Sequence, residues 1–97
     1  MKIIIRNRDT GKAKEILKFA RDNQYMILTS DKRSFQVKAD SLGYSDVEIV
    51  DMDDLHNDNY DFTKPVVIHN IEKIITFLMD YYYGLDVRGF SATMENE

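Results

Sequence analysis

Short apolar runs alternate with longer amphipathic segments along the chain, and this alternation predicts strands and helices in turn. The short runs are rich in β-branched or other apolar residues and are too short for helices, so they predict buried strands. Four such strands are predicted at Lys2–Arg6, Tyr25–Thr29, Val47–Val50 and Val66–Ile68. A fifth is predicted at Val87–Thr93, and the last four residues, 94–97, are expected to form a frayed tail.

Three segments between the strands carry apolar residues at the spacing of a helix that packs on one face. The second of these helices follows a cap at Ser30 or Asp31 and stops at Gly43. The third follows Asn70 as its N-cap and stops at Gly84. The apolar stripes of the three helices comprise Ala13, Ile16, Leu17 and Ala20; Phe35, Ala39 and Leu42; and Ile71, Ile74, Ile75, Leu78 and Tyr82.

The order of these elements predicts an α/β fold. Strands that alternate with helices form right-handed βαβ units around a parallel sheet. We therefore expect residues 1–97 to form a single three-layer domain, with a mostly parallel five-stranded sheet and about three helices. The acidic segment 51–65 is expected to be a loop that has room for one helical turn around Leu55.

Composition narrows the functional classes. The chain has no cysteine, which excludes a disulfide scaffold, a thiolate metal site and a cysteine nucleophile. Its net charge of -4 does not favour direct nucleic-acid binding. No apolar run is long enough for a membrane span or a secretory leader, so we expect a cytoplasmic protein. A sheet in so small a domain is incompletely covered, and we expect a homodimer to shield an edge or face.

The turn after the first predicted strand places Gly11-Lys12 just before a helix. Phosphate-binding loops have this arrangement, because helix N-terminal N–H groups and a lysine hold the phosphates. The full pattern also needs an earlier glycine and a hydroxyl that binds Mg²⁺, and Arg6 and Ala13 stand in those positions. The residues of this turn predicted to bind a nucleotide or another anion are Arg8, Thr10, Gly11 and Lys12.

Two later positions bear on the same chemistry. The strand at Val66–Ile68 runs into His69 and Asn70, where phosphate-loop proteins carry the carboxylates that hold Mg²⁺ and orient water. We interpret His69 as a strand-end residue and Asn70 as a helix cap. Ser91 and Thr93 provide hydroxyls at the end of the last predicted strand, where such groups can sense the outermost phosphate.

Together these positions resemble the core of the P-loop NTPases, most closely the helicase and RecA-type branch. The resemblance rests on KIIIR-NRDTGKA, VVIHN and GFSAT, and it covers essentially the whole chain. The resemblance implies the strand order 5-1-4-3-2. It also implies that Lys12 is the phosphate-binding lysine and that Ser91 and Thr93 belong to the same site. We expect no catalytic residue and no cofactor; if a cofactor binds, the resemblance implies ATP with Mg²⁺.

The missing metal-holding positions argue against hydrolysis, because phosphoryl transfer depends on the placement of Mg²⁺. The resemblance therefore implies a non-catalytic interaction or inhibitor protein on a degenerate P-loop core. Small proteins of this kind resemble those of phages and mobile elements, which implies an inhibitor of a host system, similar to an anti-CRISPR protein. The alternative is a nucleotide-binding module or minimal NTPase that uses Lys12, with metal ligands supplied by a partner.

Two groups of residues are candidates for binding a partner protein or nucleoprotein complex. The aspartates of the acidic loop can hold Ca²⁺, remain solvated or dock on a basic partner, although the loop lacks the glycine and final glutamate of a calcium loop. Three consecutive tyrosines end the last helix; they can pack at the sheet edge or meet a partner. These candidates are Asp51, Asp53, Asp54, Asp58, Asp61, Tyr81, Tyr82 and Tyr83.

Overall fold

Helices and strands alternate along the chain in the computed structural model, which describes residues 1–5 and 11–93. Each helix begins and ends within a few residues of the position that its apolar spacing predicts. In the described part of the chain the elements are α1 Lys12–Asn23, β1 Met26–Thr29, α2 Lys32–Ser41, β2 Ile49–Val50, α3 Met52–His56, β3 Val66–His69 and α4 Ile71–Tyr83.

The three strands form one parallel sheet in the order β2-β1-β3. β1 lies in the centre, and its Ile27 is opposite Ile49 of β2 and Val67 of β3. A backbone hydrogen bond begins each ladder. The N–H of Ile27 donates to the carbonyl of Glu48 at 2.9 Å on the β2 side, and the N–H of Met26 donates to the carbonyl of Pro65 at 3.1 Å on the β3 side. The parallel arrangement that the alternating elements predict is therefore present.

The prediction of a five-stranded sheet in the order 5-1-4-3-2 is wrong. Residues 2–5 and 87–93 form no strand, and the described chain has a three-stranded sheet with four helices. The predicted order also placed the strand at 47–50 between those at 25–29 and 66–68. In the structure the strand at 26–29 lies between the other two. Strand propensity alone does not form a strand, because the backbone must also find a pairing partner.

Two layers of helices cover the sheet. Ile27 and Thr29 of β1 point to one face, where Ile27 packs with α1 and α2, and Met26 and Leu28 point to the other, where they pack with α3 and α4. The alternation along β1 thus lets helices pack on both faces of the sheet. The largest side chains that are fully buried are those of Leu17, Ile27 and Thr29.

Helix ends follow local side-chain chemistry in some places. Asp31 caps α2, as predicted, because its side chain accepts a hydrogen bond from the Ser34 N–H at 3.2 Å. Gly43 follows α2 with φ +85°, a left-handed conformation that glycine adopts without strain. The single helical turn expected in the acidic loop is present as α3.

The α3–α4 face of the sheet is covered less completely than the α1–α2 face. Val66 and Ile68 of β3 point toward this face and remain exposed. Ile74 is the one buried residue of α4, although the helix carries several other apolar side chains. Among the described residues, no helix combines the length and apolar character needed to span a bilayer.

Replacing Leu17 tests the core between α1 and the sheet. Leu17→Ala removes a side chain that is 0% exposed, and the cavity left behind should cost about 2–5 kcal/mol of unfolding free energy. Val37→Ala on the outer face of α2 is the matched control, since Val37 is 66% exposed and its loss should cost less than about 0.5 kcal/mol. Urea titrations followed by circular dichroism would measure both, and equal losses would contradict this packing.

Candidate functional site

The start of α1 and the carboxyl end of β3 meet through a pair of polar side chains. Gly11 precedes α1 with φ +85°, and Lys12 is the first residue of the helix. The Lys12 Nζ donates a hydrogen bond to the Asn70 Oδ1 at 2.7 Å, across 58 residues of chain. The predicted anion-binding lysine therefore contacts the residue that follows β3.

Asn70 occupies the N-cap position of α4 but does not cap the helix with its side chain. Its φ of 58° lies in the left-handed region, and its side chain makes no capping hydrogen bond. The amide instead accepts from Lys12. The prediction that Asn70 is the N-cap residue of α4 is therefore confirmed in position, but its side chain bonds Lys12 instead of a helical N–H group.

His69 ends β3 with its side chain on the α1–α2 face. The residue is only 8% exposed, and its ring lies 4.4 Å from the ring of Phe35. Burial, reinforced by the charges of Lys12 and Lys38, lowers the pKa of His69 to about 4. The ring is therefore neutral at pH 7, and its Nδ1 has no hydrogen-bond partner among the described residues.

A cavity of about 540 Å³ opens beside these residues. It lies between the N-terminal residues, α1, β3 and the start of α4, and most of its lining is apolar. Its volume is in the range of small-molecule sites, which combine apolar walls with a few polar groups. The lining residues that carry polar or charged side chains are Lys2, Lys12, Tyr25, His69, Asn70 and Glu72.

The other predicted anion-binding residues are distributed differently. Arg8 and Thr10 lie outside the described residues. Ser91 and Thr93 are exposed, lie in the irregular segment after α4 and do not line the cavity. Sequence reasoning did not include His69 among the site residues. The sequence did offer one indication, because side chains alternate along a strand and His69 therefore lies on the same face of the sheet as Val67, which packs against the α1–α2 core.

Two of the acidic-loop aspartates hold the local structure together. Asp51 and Asp54 form a capping box at α3, in which each carboxylate accepts from the other residue's N–H, at 2.9 and 3.0 Å. Lys32 of α2 also donates to the Asp54 carboxylate at 2.8 Å, which holds the pKa of Asp54 below its usual value. Asp54 is nearly buried, so its carboxylate faces the protein.

The remaining aspartates of the loop differ in their exposure. Asp61 accepts hydrogen bonds from the N–H and the hydroxyl of Thr63, and these bonds lower its pKa. Asp53 and Asp58 are exposed. The part of the acidic loop that a partner can meet therefore consists mainly of Asp53 and Asp58.

The tyrosines at the end of α4 lie against α3. The ring of Tyr81 is 5.3 Å from the ring of His56, and the ring of Tyr82 is 6.4 Å from it. Phe77, one turn earlier on α4, stacks on Tyr81 at 5.7 Å with 18° between the ring planes. Tyr83 contacts the ring of Tyr82 at 6.4 Å and is the most exposed of the three tyrosines.

Carboxylates flank this group of rings. Asp53 is three positions before His56 on α3, and Asp80 is three positions after Phe77 on α4, so each shares a helix face with a ring. Sequence reasoning missed His56 and Phe77, although the spacing of Phe77 and Tyr81 at i and i+4 indicated that their rings meet. We define the acidic–aromatic surface as Asp53, His56, Phe77, Asp80, Tyr81 and Tyr82.

The chain thus has two candidate sites, the cavity at Lys12 and the acidic–aromatic surface. No family model, curated protein or solved structure matches the chain. What the protein does is therefore inferred from the chemistry of these two regions. The cavity offers an ammonium group, an amide and a neutral imidazole, whereas the surface offers exposed rings beside carboxylates.

The low pKa of His69 should make the protein less stable in weak acid. Between pH 6.5 and about 4 the unfolded chain binds a proton at His69 and the folded chain does not, so the unfolding free energy falls as the pH falls. We expect a loss of about 2 kcal/mol between pH 7.5 and pH 5, measured by urea denaturation. The carboxyl of Asp54 does not contribute to this decline, because its pKa is lowered from 3.8 in the folded chain and the group stays ionised above pH 5.

The control for this pH effect is a pair of histidine substitutions. His69→Gln should remove most of the decline between pH 7.5 and pH 5, while His56→Gln leaves His69 in place and should retain it. A decline of the same size in both variants would show that the effect has another origin.

Proposed function

We propose that the protein is a non-catalytic interaction protein that binds another protein through its acidic–aromatic surface. The observation that carries this proposal is the contiguous set of exposed rings, in which Tyr81 contacts His56, Phe77 and Tyr82. Among the described residues, no hydrogen bond or ion pair engages the carboxylates of Asp53 and Asp80, so they are available to a partner.

Exposed aromatic rings are costly to leave in water and favourable to bury in an interface. Tyr81 is 61% exposed and Phe77 is 42% exposed. Tyrosine is enriched among the residues that dominate interface energetics, since it buries a large area with little loss of side-chain entropy. Clustered exposed rings on a small domain are typical of a docking site rather than of a free surface.

The residues at the carboxyl end of β3 support a non-catalytic role. On the P-loop resemblance, the metal-holding carboxylates would stand at His69 and Asn70, and neither side chain is a carboxylate. The Nζ of Lys12 is hydrogen-bonded to Asn70. In the form that the P-loop resemblance suggests, the protein is phage-encoded, and its partner is a component of a host system. The protein then inhibits that component by covering a basic surface on it.

Site-specific photo-crosslinking in cells that naturally carry the protein tests this proposal. A benzophenone side chain at position 81 should give a discrete crosslinked adduct of higher mass, because this position lies in the interface. The same side chain at position 37, exposed on α2, is the matched control and should give none. No adduct at 81, or the same adducts at both positions, would count against the surface.

The cavity at Lys12 favours a second candidate function, that of a nucleotide-binding module. Lys12, His69 and Asn70 converge on one cavity of about 540 Å³, and the buried His69 Nδ1 has no partner among the described residues. An anion that displaced Asn70 from Lys12 would gain a charge-assisted hydrogen bond. Any metal ligands for such a nucleotide would come from a partner.

Calorimetric titration of ATP, with and without Mg²⁺, tests the second candidate. If the cavity binds nucleotide, Lys12→Ala should weaken ATP binding by at least about tenfold, because it removes the ammonium group at the site. Lys18→Ala removes the same charge from a residue that pairs with Asp22, and it should leave binding unchanged. The absence of ATP binding to the wild-type protein would reject the nucleotide function and leave the interaction function standing.

A further inference from the structure

We propose that the acidic–aromatic surface recognises an arginine-bearing basic segment of its partner, with a guanidinium group stacked on Tyr81. This inference rests on the proposed interaction function and specifies the chemistry of the partner. It follows from three features of the surface: the flatness of its rings, the angle between them and the charges at its border.

The rings of Phe77 and Tyr81 offer a flat platform. Their planes differ by only 18° and their centroids lie 5.7 Å apart in a stacked arrangement, so Phe77 supports the ring of Tyr81. Because Tyr81 is 61% exposed, a further flat group can extend this stack. A planar cation gains most from such a platform, because it can lie parallel to the rings and still direct its N–H groups outward. The compact ammonium group of lysine is more strongly hydrated and has no plane to stack.

The rings of Tyr81 and Tyr82 form a corner beside this platform. Their centroids are 4.9 Å apart and their planes differ by 78°, so the two rings stand nearly perpendicular to each other. His56 contacts both rings and ties them to α3. Because packing restrains the rings, a ligand loses less side-chain entropy when it binds there.

Carboxylates border the group of rings on both helices. Asp80 lies one turn from Phe77 on α4, Asp53 lies one turn from His56 on α3, and both are exposed. The carbonyl end of α4 adds negative partial charge, and its last turn contains no basic residue. Lys73, one turn before Phe77, is the nearest cation along α4. A guanidinium on the rings can therefore donate to a carboxylate.

The same charges argue against a second copy of the chain as the occupant. A symmetric contact of this surface with itself would bring Asp53 and Asp80 toward the same residues of the other copy. Like charges across an interface oppose association. Residues 50–97 contain three basic and ten acidic side chains, so this half of the chain offers little to neutralise them. A cationic partner satisfies both the rings and the carboxylates.

Defined peptides test the inference. The probe is a fluorescent twelve-residue peptide with four arginines separated by glycine and serine, compared with peptides in which lysine or citrulline replaces arginine. In fluorescence anisotropy titrations we expect the arginine peptide to bind about fivefold more tightly than the lysine peptide. The citrulline peptide keeps the planar group without the charge and should bind more weakly than both.

Two variants locate the binding. Tyr81→Leu keeps an apolar side chain but removes the platform, so it should abolish most of the preference for arginine over lysine. Tyr83→Leu is the matched control, because Tyr83 lies outside the acidic–aromatic surface, and it should keep the preference. Circular dichroism checks that both variants fold as the wild-type protein does.

The outcomes separate this inference from the proposed function. Equal binding of the arginine and lysine peptides, or a preference unchanged in Tyr81→Leu, would overturn the inference. A crosslink at position 81 without an arginine preference would leave the interaction function intact while rejecting this partner chemistry. A wild-type dimer that becomes a monomer in Tyr81→Leu, measured by light scattering, would assign the surface to a second copy and also overturn the inference.

Discussion

The structure depends above all on the burial of β1 between two layers of helices. Each of its four residues is buried, and the strand pairs with a parallel neighbour on both sides. Because its side chains alternate, Ile27 organises the packing of α1 and α2, whereas Met26 and Leu28 organise that of α3 and α4. Substitutions on β1 would therefore alter the packing of both helical layers.

Polar contacts at the carboxyl end of the sheet join the two layers. Lys32 of α2 binds Asp54 of α3, and Lys12 of α1 binds Asn70 at the start of α4. Each contact runs from one helical layer to the other around the ends of the strands. Residues that sequence reasoning assigned to partner or anion binding thus also hold the layers in place, which couples the candidate sites to the fold.

The uneven cover of the sheet accounts for the position of the proposed docking surface. α1 buries Ile16, Leu17 and Ala20, and α2 buries Phe35 and Ala39. α4 buries Ile74 and leaves the rings of Phe77 and Tyr81 exposed beside α3. The helix that packs least on its own domain is therefore the one with most surface available for a partner. The cavity lies at the edge of the sheet beside β3, between α1 and the start of α4, and its Lys12 is already hydrogen-bonded to Asn70.

The sequence by itself determined the local elements, since apolar spacing and caps act over a few neighbouring residues. It indicated α1, α2 and α4 close to their observed ends, the central strands and the turn of α3. The tertiary structure decided the rest. Whether Lys2–Arg6 and Val87–Thr93 become strands, and which strand is central, depends on backbone pairing between distant segments. The contacts of Tyr81 with His56 and of Lys12 with Asn70 were decided in the same way, because they join residues far apart in the chain whose proximity no local pattern encodes.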